Sequence, residues 1–325
     1  LPEYVSTVDS GNFAGCLIAL AQGCREIATS FVVRTDAWRG LGDTVDLLAD
    51  VIDTIPNSND DTLRLTVKRI RTAVEHGQNH PEEAYTTLCT LGDDSAIELN
   101  SEMLKLLESG TNRHDSDMLD ALRESLDTFQ QQLRQMRREL NELLPWLALA
   151  NEPAIRLLEL PSALSSELSS ELSSKLRLDE IPAVADLLLS EISAWHHDLC
   201  QRGQNTPALN ASAQKTVDAL QCGRNKAAAL HVELLELSIR AETELNGMDF
   251  QWLYDSERKL FHIGYNVTAD HADPNYYDLL ASEARLASYL AIVKQDVPEA
   301  HWYSLGRPMT SVAGSPTLLS WGGTM

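Results

Sequence analysis

The sequence has no long apolar run and little positive charge, and each absence excludes a class of protein. No uncharged apolar stretch approaches the about 18 residues that a helix needs to cross a bilayer, and the first residues form no basic and then apolar leader. We therefore expect neither a membrane anchor nor a signal peptide in it. The formal charge of -22 repels phosphate groups, and basic residues cluster only at Arg134, Arg137 and Arg138. Nucleic acid and acidic lipid headgroups are therefore not expected partners.

Cysteine motifs and nucleotide-binding motifs are also missing. The five cysteines are odd in number and have neither CxxC nor Cys/His ligand spacing. We therefore expect free thiols, which suit a reducing compartment, and no metal site. The sequence contains no GxGxxG, no GxxxxGK[ST] and no GxSxG, so dinucleotide binding, P-loop chemistry and serine hydrolysis are not indicated.

Helical periodicity is present almost throughout the chain. The stretch 9–12, Asp-Ser-Gly-Asn, is typical of a helix start. The apolar residues that follow at spacings of three and four are Phe13, Leu17, Leu20, Cys24, Ile27 and Phe31. A second helix is predicted to start at Asp43 and to run towards Pro56.

The longest apolar stripe lies in the middle of the chain. Its residues alternate steps of three and four over four heptads: Leu119, Leu122, Leu126, Phe129, Leu133, Met136, Leu140, Leu143 and Leu147. Pro145 should kink or end this helix near Leu144, and residues 213–245 could form an antiparallel mate. The stripe could mediate oligomerisation, but packing inside a bundle is the simpler interpretation because similar helices lie nearby.

A four-residue repeat, LSSELSSELSSKL, separates these two predicted helices. Its leucines at 164, 168, 172 and 176 form a slowly drifting helical stripe, so both a weak helix and a mobile connector are compatible with it. Aromatic residues are rare from 57 to 246 and abundant after 247, where eleven of the chain's nineteen lie. This change in composition predicts a boundary near residue 247.

The hydrophobic period changes in the stretch MDFQWLYDSERKLFHIGYN. Apolar and polar residues alternate on both sides of DSERK, which predicts a short β-hairpin with a turn there. His262 within it could be catalytic, but a lone histidine in a hairpin is more typical of a structural role. The later stretch HWYSLGRPMTSVAGSPTLLSWGG is rich in Gly, Pro and Ser and predicts a loop that lines a cleft.

Residues 273–298 predict a helix with a carboxylate in the middle of its apolar face. The face is formed by Leu279, Leu286, Leu290 and Val293, and Glu283 falls among them, with Tyr276 in nearly the same direction. A charge buried alone there would cost several kcal/mol. Glu283 is therefore either paired with an arginine or faces a cleft that contains water or a polar ligand.

Other acids and amides have simpler alternatives. Asp278 is first interpreted as an acid that favours a helix start, near Arg285, and Asp9 and Asn12 could be helix caps. Aromatic residues beside acids and amides are what a carbohydrate cleft needs, because ring faces stack on sugar C–H surfaces while polar groups bind hydroxyls. Aromatic residues also fill cores, so composition alone does not decide between the two.

Three stretches of the sequence resemble one known family. They are VDSGNFAG, MDFQWLYDSERKLFHIGYN and DPNYYDLLASEARLASYLAIVKQDVPEAHWYSLGRPMTSVAGSPTLLSWGGTM. They are similar to the central glucoamylase-like region of cyclic β-1,2-glucan synthases, which are very large bacterial inner-membrane proteins. The similarity is dense over residues 1–50 and 248–325 and looser between them. A start without Met and an end at Met325 after a Gly-rich turn indicate a piece of a longer protein.

The resemblance implies an all-α fold of the (α/α)6 barrel type, partial in this chain. Residues 1–56 would form the first barrel helices, 57–246 a long helical insertion, and 247–325 a short β-hairpin followed by a return to the barrel. The substrate-binding residues implied for the cleft are Asp9, Asn12, Tyr276, Asp278, Glu283, Trp302 and Trp321. Cys16 stands where the family has a histidine.

The resemblance also implies an activity, which is closure of a β-1,2-glucan chain into a ring by transglycosylation. Another region would extend the glucan from UDP-glucose, on the cytoplasmic side of the membrane, so this chain would need no cofactor of its own. Its partners would be the glucan and the remaining regions of the same polypeptide, without direct membrane contact. The catalytic carboxylates would lie beyond Met325, so the chain alone would be inactive. Two alternatives are endo-hydrolysis of β-1,2-glucan and a helical interaction scaffold without catalysis.

Overall fold

Helices make up most of the part of the chain that the structure describes, and short strands lie near its beginning and in its last third. The computed structural model describes residues 3–54, 61–92, 97–102, 116–149, 175–204, 206–277, 284–306 and 309–318. The helices are α1 (Thr7–Ala28), α2 (Thr35–Asp53), α3 (Asp61–Asn79), α4 (Ala84–Thr90), α5 (Ser116–Leu143), α6 (Trp146–Leu149), α7 (Ile181–Gln201), α8 (Pro207–Gly247), α9 (Ala284–Val293) and α10 (Ala300–Ser304). The strands are β1 (Tyr4–Ser6), β2 (Tyr254–Asp255), β3 (Leu260–Phe261), β4 (Gly264–Asn266), β5 (His271–Ala272), β6 (Met309–Val312) and β7 (Ser315–Leu318).

The chain forms two compact units, each with a core of its own. The first contains Leu1–Glu26 and Glu233–Met325, and the second contains Ile27–Val232. We call them the mixed unit and the helical unit. The boundaries predicted at residues 56 and 246 separate barrel helices from a helical insertion. The two compact units do not show which residues belong to a barrel, so these boundaries stay a prediction.

The long stripe in the helical unit is buried within the chain. From Leu122 to Leu147 every described member of the stripe is buried, and α5 packs against α2 and α4. The helix ends at Leu143, before Pro145, as predicted. Burial of the stripe agrees with the bundle interpretation, because a stripe covered by the chain's own helices is not free to mediate oligomerisation.

Helix α2 begins eight residues before the predicted start at Asp43. It runs from Thr35, and the turns that precede Asp43 bury Trp38 and Leu41 in phase with Val45, Leu48 and Ile52. The prediction was wrong because Gly40 and Gly42 interrupt the helical signal. Tertiary packing outweighs their weak propensity, since the Gly40 Cα faces Gln132 of α5 with little space between them.

Helix α1 begins at Thr7, so the stretch 9–12 lies inside it rather than at its cap. The N–H of Asp9 donates to Oγ of Ser6 at 3.2 Å, which makes Ser6 the capping residue. The helix buries mainly its small residues and leaves Phe13, Leu20 and Ile27 exposed, so the predicted apolar stripe is only partly a core stripe. Its buried residues are Val8, Ala14, Leu17, Ala21, Cys24 and Ala28.

Close approach of two helices explains this choice of small residues in the mixed unit. A Cβ at Gly11 would meet the backbone of Ala287 in α9, and one at Gly15 would meet Leu286. The core around this contact contains residues from α1, α9 and the segment between 250 and 261: Ala14, Phe250, Leu253, Phe261, Ala287, Leu290, Ala291 and Val297. The aromatic residues of the last third therefore fill part of this core.

The predicted hairpin is present but short. Its strands β2 and β3 pair antiparallel, with Tyr254 opposite Phe261. The residues before it, Gln251–Leu253, form a 3-10 helix rather than a strand. The residues after it do not continue the hairpin, because β4 pairs with β1 and β5 in a separate three-stranded sheet. Alternation correctly indicated extended structure, but it did not indicate the partner strand.

The stretch predicted to be a loop contains regular structure. Residues 300–304 form α10, and β6 pairs antiparallel with β7 around a turn at Ala313 and Gly314, which both have positive φ. Two positive φ values are typical of a tight two-residue hairpin turn. In the repeat LSSELSSELSSKL, residues 164–174 lie outside the described residues.

None of the helices in the described ranges is long and apolar enough to span a membrane.

Candidate functional site

The turn between β2 and β3 is closed by the side chain of Asp255. Its Oδ1 accepts hydrogen bonds from the N–H groups of Glu257 at 2.9 Å and Arg258 at 3.0 Å. The N–H of Lys259, which has a φ of 59°, donates to the carbonyl of Asp255 at 2.7 Å. Aspartate suits this position because its short carboxylate reaches backbone N–H groups two and three residues further on. The turn therefore holds the second carboxylate oxygen in a fixed place.

That second oxygen orients Tyr276. The Tyr276 hydroxyl donates to Oδ2 of Asp255 at 2.7 Å. The Tyr276 ring contacts the ring of His262, with centroids 4.5 Å apart, and the guanidinium carbon of Arg258 lies 4.7 Å from its centroid. We call Asp255, Arg258, His262 and Tyr276 the Asp255 cluster. It is one of the places where the described residues bring aromatic, acidic and basic groups together.

Tyr276 does not lie on the helix that the sequence predicted for it. Its backbone forms a bridge with His262, and the flanking residues bond to Ile263 and Phe261 in an extended conformation. The prediction was wrong because it continued a helical period through Asp273 and Pro274. The Oδ1 of Asp273 accepts the N–H of Asn275 at 2.9 Å, which makes a local turn there. Tyr276 is therefore positioned by the hairpin turn and not by a helical phase shared with Glu283.

Two members of the Asp255 cluster, Asp255 and Tyr276, have a defined protonation state at neutral pH. The pKa of Asp255 is lowered, first by the N–H of Arg258 and then by the hydroxyl of Tyr276. The pKa of Tyr276 is raised, first by the same hydrogen bond to Asp255. The carboxyl is thus ionised and the phenol neutral. An ionised carboxylate and a neutral phenol oxygen can both accept hydrogen bonds from hydroxyl groups of a ligand.

His262 connects segments that are distant in sequence. Its Nδ1 lies 2.6 Å from the carbonyl oxygen of Asp273, and its own carbonyl accepts the Thr7 hydroxyl at 2.6 Å. These bonds join the start of α1, strand β3 and the segment before Tyr276. They agree with the structural role that the sequence favoured for this histidine.

A second pairing of a phenol with a carboxylate lies on the three-stranded sheet. The Tyr4 hydroxyl donates to Oδ2 of Asp273 at 3.5 Å. The Tyr4 ring lies over Gly264, where a Cβ would collide with it. The pKa of Tyr4 is raised, first by burial and then by the charge of Asp273. Glycine at 264 is therefore required for this tyrosine to lie flat on the sheet.

Asp9 and Asn12 lie on the exposed side of α1. They share this face with the exposed side chains of Phe13 and Cys16, at spacings of three, four and seven residues. Asp9 is in the first turn, where a negative charge favours the helix dipole. The cap interpretation of Asp9 and Asn12 is wrong because Ser6 caps this helix, and the binding prediction for both residues stays a prediction.

Trp302 follows a histidine that anchors its helix. His301 is buried, with Nδ1 2.8 Å from the carbonyl oxygen of Lys259 and Nε2 2.8 Å from Oγ of Ser288. Burial lowers the pKa of His301, so the ring is neutral at pH 7. The indole of Trp302 is 41% exposed. Since Lys259 belongs to the turn that Asp255 closes, one turn supports both Tyr276 and the helix of Trp302.

Asp278, Glu283 and Trp321 lie outside the described residues. The helix that the sequence predicted around Glu283 is described from Ala284 onward as α9. Its buried side contains Ala284, Ala287, Ser288, Leu290 and Ala291, whereas Leu286 and Val293 are exposed. The binding predictions for all seven residues stay predictions.

Sequence reasoning did not select Asp255, Arg258, Asp273 or Tyr4 as site residues. Asp255 was interpreted only as part of a turn, although an Asp that starts a turn can also present its second oxygen to a neighbour. Nothing local in the sequence indicates that Tyr4 reaches Asp273, because the pairing of β1 with β4 joins residues far apart. Within the described part of the chain, no group of three or more His, Cys, Asp or Glu side chains is arranged to bind a metal ion.

No family model matches this chain. It is similar over its whole length to a cyclic β-1,2-glucan synthase, which confirms the resemblance to that family, whereas the assignment to its glucoamylase-like region stays a prediction.

The relative in question is the cyclic beta-(1,2)-glucan synthase NdvB of Rhizobium meliloti (strain 1021), which is 31% identical over 325 residues. The match covers 100% of this chain and 9% of that relative's length. The similarity therefore also includes the middle of the chain, where none of the quoted stretches lies.

Proposed function

We propose that this chain is part of a cyclic β-1,2-glucan synthase and contributes glucan-binding residues to the region that closes the ring. The observation that carries the proposal is the 31% identity to a protein of that name over all 325 residues. A similarity that runs from one end of the chain to the other concerns the whole segment and not a single shared motif.

The chemistry of the described residues supports a neutral, hydroxyl-rich ligand. The formal charge of -22 disfavours anionic ligands. In the Asp255 cluster two backbone N–H groups hold an ionised carboxylate, which in turn accepts a hydrogen bond from a neutral phenol. Acceptors of this kind bind sugar hydroxyls, and exposed aromatic faces such as that of Trp302 stack on sugar C–H surfaces. The carboxylate, the phenol and the exposed indole are thus groups that suit glucan recognition.

The fold that accompanies this proposal is a partial (α/α)6 barrel. Residues 1–56 and 247–325 would contribute barrel helices and the hairpin, and residues 57–246 would form the helical insertion. The close contact of α1 with α9 at Gly11 supports the idea that the first and last parts of the chain pack together. The cleft would be lined by Asp9, Asn12, Tyr276, Asp278, Glu283, Trp302 and Trp321.

The proposed reaction is transglycosylation, which needs two carboxyl groups about 5 Å apart in a retaining enzyme. We assign those groups to another part of the full protein and give this chain the task of binding and orienting the glucan. UDP-glucose would be used by a different region, and the protein would act on the cytoplasmic side of the inner membrane. The scaffold alternative has no support from the described stripe of α5, because that stripe is already covered.

The test is a Glu283→Gln change in the full-length synthase. The amide keeps the size of the side chain but removes its charge, so ring formation should fall while incorporation of UDP-glucose stays near the wild-type level. Products are separated into rings and linear chains, which also distinguishes cyclisation from endo-hydrolysis. Normal ring yield would remove Glu283 from the site, and linear products in the wild type would favour a hydrolase.

A further inference from the structure

Trp252 is exposed although its neighbours form the core of the mixed unit. It lies in the 3-10 helix Gln251–Leu253, between the buried side chains of Phe250 and Leu253. With three residues per turn, a helix that points Phe250 and Leu253 inward points the two residues between them, Gln251 and Trp252, outward. The indole of Trp252 is 48% exposed. A large apolar side chain held outside a core is more informative than a buried one.

The geometry of this turn is fixed by two carboxylates. The N–H of Gln251 donates to Oδ1 of Asp249 at 2.8 Å, and the N–H of Phe250 donates to Oδ2 of Asp296 at 3.2 Å. These bonds hold the 3-10 helix at both its start and its contact with the end of α9. Trp252 therefore lies on a backbone segment that two side-chain carboxylates hydrogen-bond.

Tyr265 forms a corner with Trp252. The two ring centroids lie 5.0 Å apart at an interplanar angle of 69°, which is an edge-to-face contact. Tyr265 also packs against the core that contains Phe250 and Leu253. Its hydroxyl donates to Oδ1 of Asp270 at 2.6 Å. One end of the tyrosine is thus held by the core and the other by a carboxylate.

Asp270 lies on a β4–β5 turn that is itself held in place. The N–H of Ala269 donates to Oδ1 of Asn266 at 2.9 Å, and the N–H of Glu3 donates to Oγ1 of Thr268 at 3.0 Å. Among the residues that the structure describes, no hydrogen-bond partner is seen for Oδ2 of Asp270. This exposed oxygen is available to accept a hydrogen bond beside the two rings.

This corner is separate from the pairing of Tyr4 with Asp273. In the register of the sheet, Tyr4 lies opposite Asn266 and Val5 lies opposite Tyr265. Successive residues of a strand point to opposite faces. Tyr265 and Tyr4 are therefore on opposite faces of the sheet.

We propose that Trp252, Tyr265 and Asp270, none of which belongs to the residues proposed for the cleft, form a second carbohydrate-binding surface that takes a segment of neutral glucan. The indole face stacks on the C–H side of a glucosyl unit, and Oδ2 of Asp270 accepts a hydrogen bond from one of its hydroxyls. This inference rests on the proposed function, since it takes the glucan as the ligand. Such a surface would hold the polymer that extends away from the cleft.

The test uses the whole 325-residue chain and a linear β-1,2-glucooligosaccharide of uniform length, with affinity measured by calorimetry. Trp252→Ala is expected to weaken binding about tenfold, because loss of a stacked aromatic removes on the order of 1.4 kcal/mol. Trp252→Phe should lose less, since it keeps a ring. The matched control is Tyr303→Ala, because Tyr303 is 84% exposed and is not part of the corner. Its affinity should equal that of the wild type.

A second measurement does not depend on the folding of the alanine variant. The indole N–H resonance of Trp252, assigned from its absence in Trp252→Phe, should shift as the oligosaccharide is added. If the wild type binds and this resonance does not move, or if Trp252→Ala binds like the wild type, the second surface is overturned while the proposed function stands. If the wild type does not bind the oligosaccharide at all, both are contradicted.

Discussion

The helical unit and the mixed unit depend on different kinds of contact. In the helical unit, α5 repeats apolar residues at spacings of three and four over its 28 residues, and each turn adds a buried side chain to the same stripe. In the mixed unit, the decisive bonds join residues more than 250 positions apart, such as Thr7 with His262. Packing of the apolar stripe follows from local periodicity. The long-range bonds of the mixed unit depend on the position of single glycines, aspartates and hydroxyl groups. Substitutions should therefore affect the two units in different ways.

The largest effect is expected in the core of the helical unit. Phe129 is fully buried in the middle of the stripe. Phe129→Ala should lower the free energy of unfolding by about 3–5 kcal/mol, because it leaves a cavity that the helices cannot close. Urea unfolding followed by circular dichroism measures this. The control is Gln131→Ala on the exposed side of the same helix, which should change stability by less than about 0.5 kcal/mol. A loss of similar size in both variants would contradict the assignment of the stripe.

A smaller but sharply local effect is expected in the mixed unit. Gly11→Ala places a Cβ against the backbone of Ala287, so α1 and α9 must move apart. Overpacking of this kind costs about 1–3 kcal/mol. Gly23→Ala in the same helix meets no atom within 4 Å and should instead stabilise the helix by up to about 1 kcal/mol. Urea unfolding followed by fluorescence separates the two, and equal changes at both glycines would argue against close packing of α1 on α9.

The turn of the Asp255 cluster should make stability depend on pH. The pKa of Asp255 is lower in the folded protein than in the unfolded chain. Its stabilising contribution is therefore present above the unfolded pKa of about 3.9 and is lost as the pH falls through the lower folded value. Asp255→Asn cannot ionise, so the difference in stability between wild type and variant should shrink from pH 6 to pH 3. A difference that stays constant over this range would show that the carboxylate charge does not stabilise the turn.

The smallest effect is expected at the β6–β7 turn. Ala313 has a φ of 50° and precedes Gly314 with a φ of 82°. Asparagine tolerates a left-handed backbone better than alanine, so Ala313→Asn should stabilise the hairpin by a few tenths of a kcal/mol, on the order of 0.5. Amide hydrogen exchange of the residues in β6 and β7 reports this locally. Ala313→Val, which is β-branched, should have the opposite effect, and faster exchange in the asparagine variant would contradict the turn type.

The sequence was sufficient for the helical character of the chain, for α5 and for the hairpin turn. These features depend on periodicity and on local turn chemistry, which a single sequence contains. It was insufficient for the start of α2, because Gly40 and Gly42 weaken the helical signal while Trp38 and Leu41 still pack. It also failed for Tyr276, whose conformation is decided by pairing with His262 rather than by its own neighbours.

The candidate site was predictable only in part, for a related reason. Tyr276 was selected through a helical period that the structure does not show, and Trp302 was selected through the resemblance to the synthase family. Their common support is the turn closed by Asp255, in which the carbonyl of Lys259 contacts His301. These two residues are 42 positions apart, so local periodicity cannot predict their contact. The resemblance to glucan synthases supplied the ligand class, which composition alone left open between a sugar cleft and an aromatic core.

The most direct test of the glucan-binding claim is a crystal structure of the chain soaked with a linear β-1,2-glucooligosaccharide. We expect sugar density in contact with Tyr276 and Trp302, with hydroxyl groups within hydrogen-bonding distance of nearby carboxylates. Density that lies only on the helices between residues 27 and 232, or well-ordered Tyr276 and Trp302 with no sugar beside them at saturating concentration, would contradict the claim.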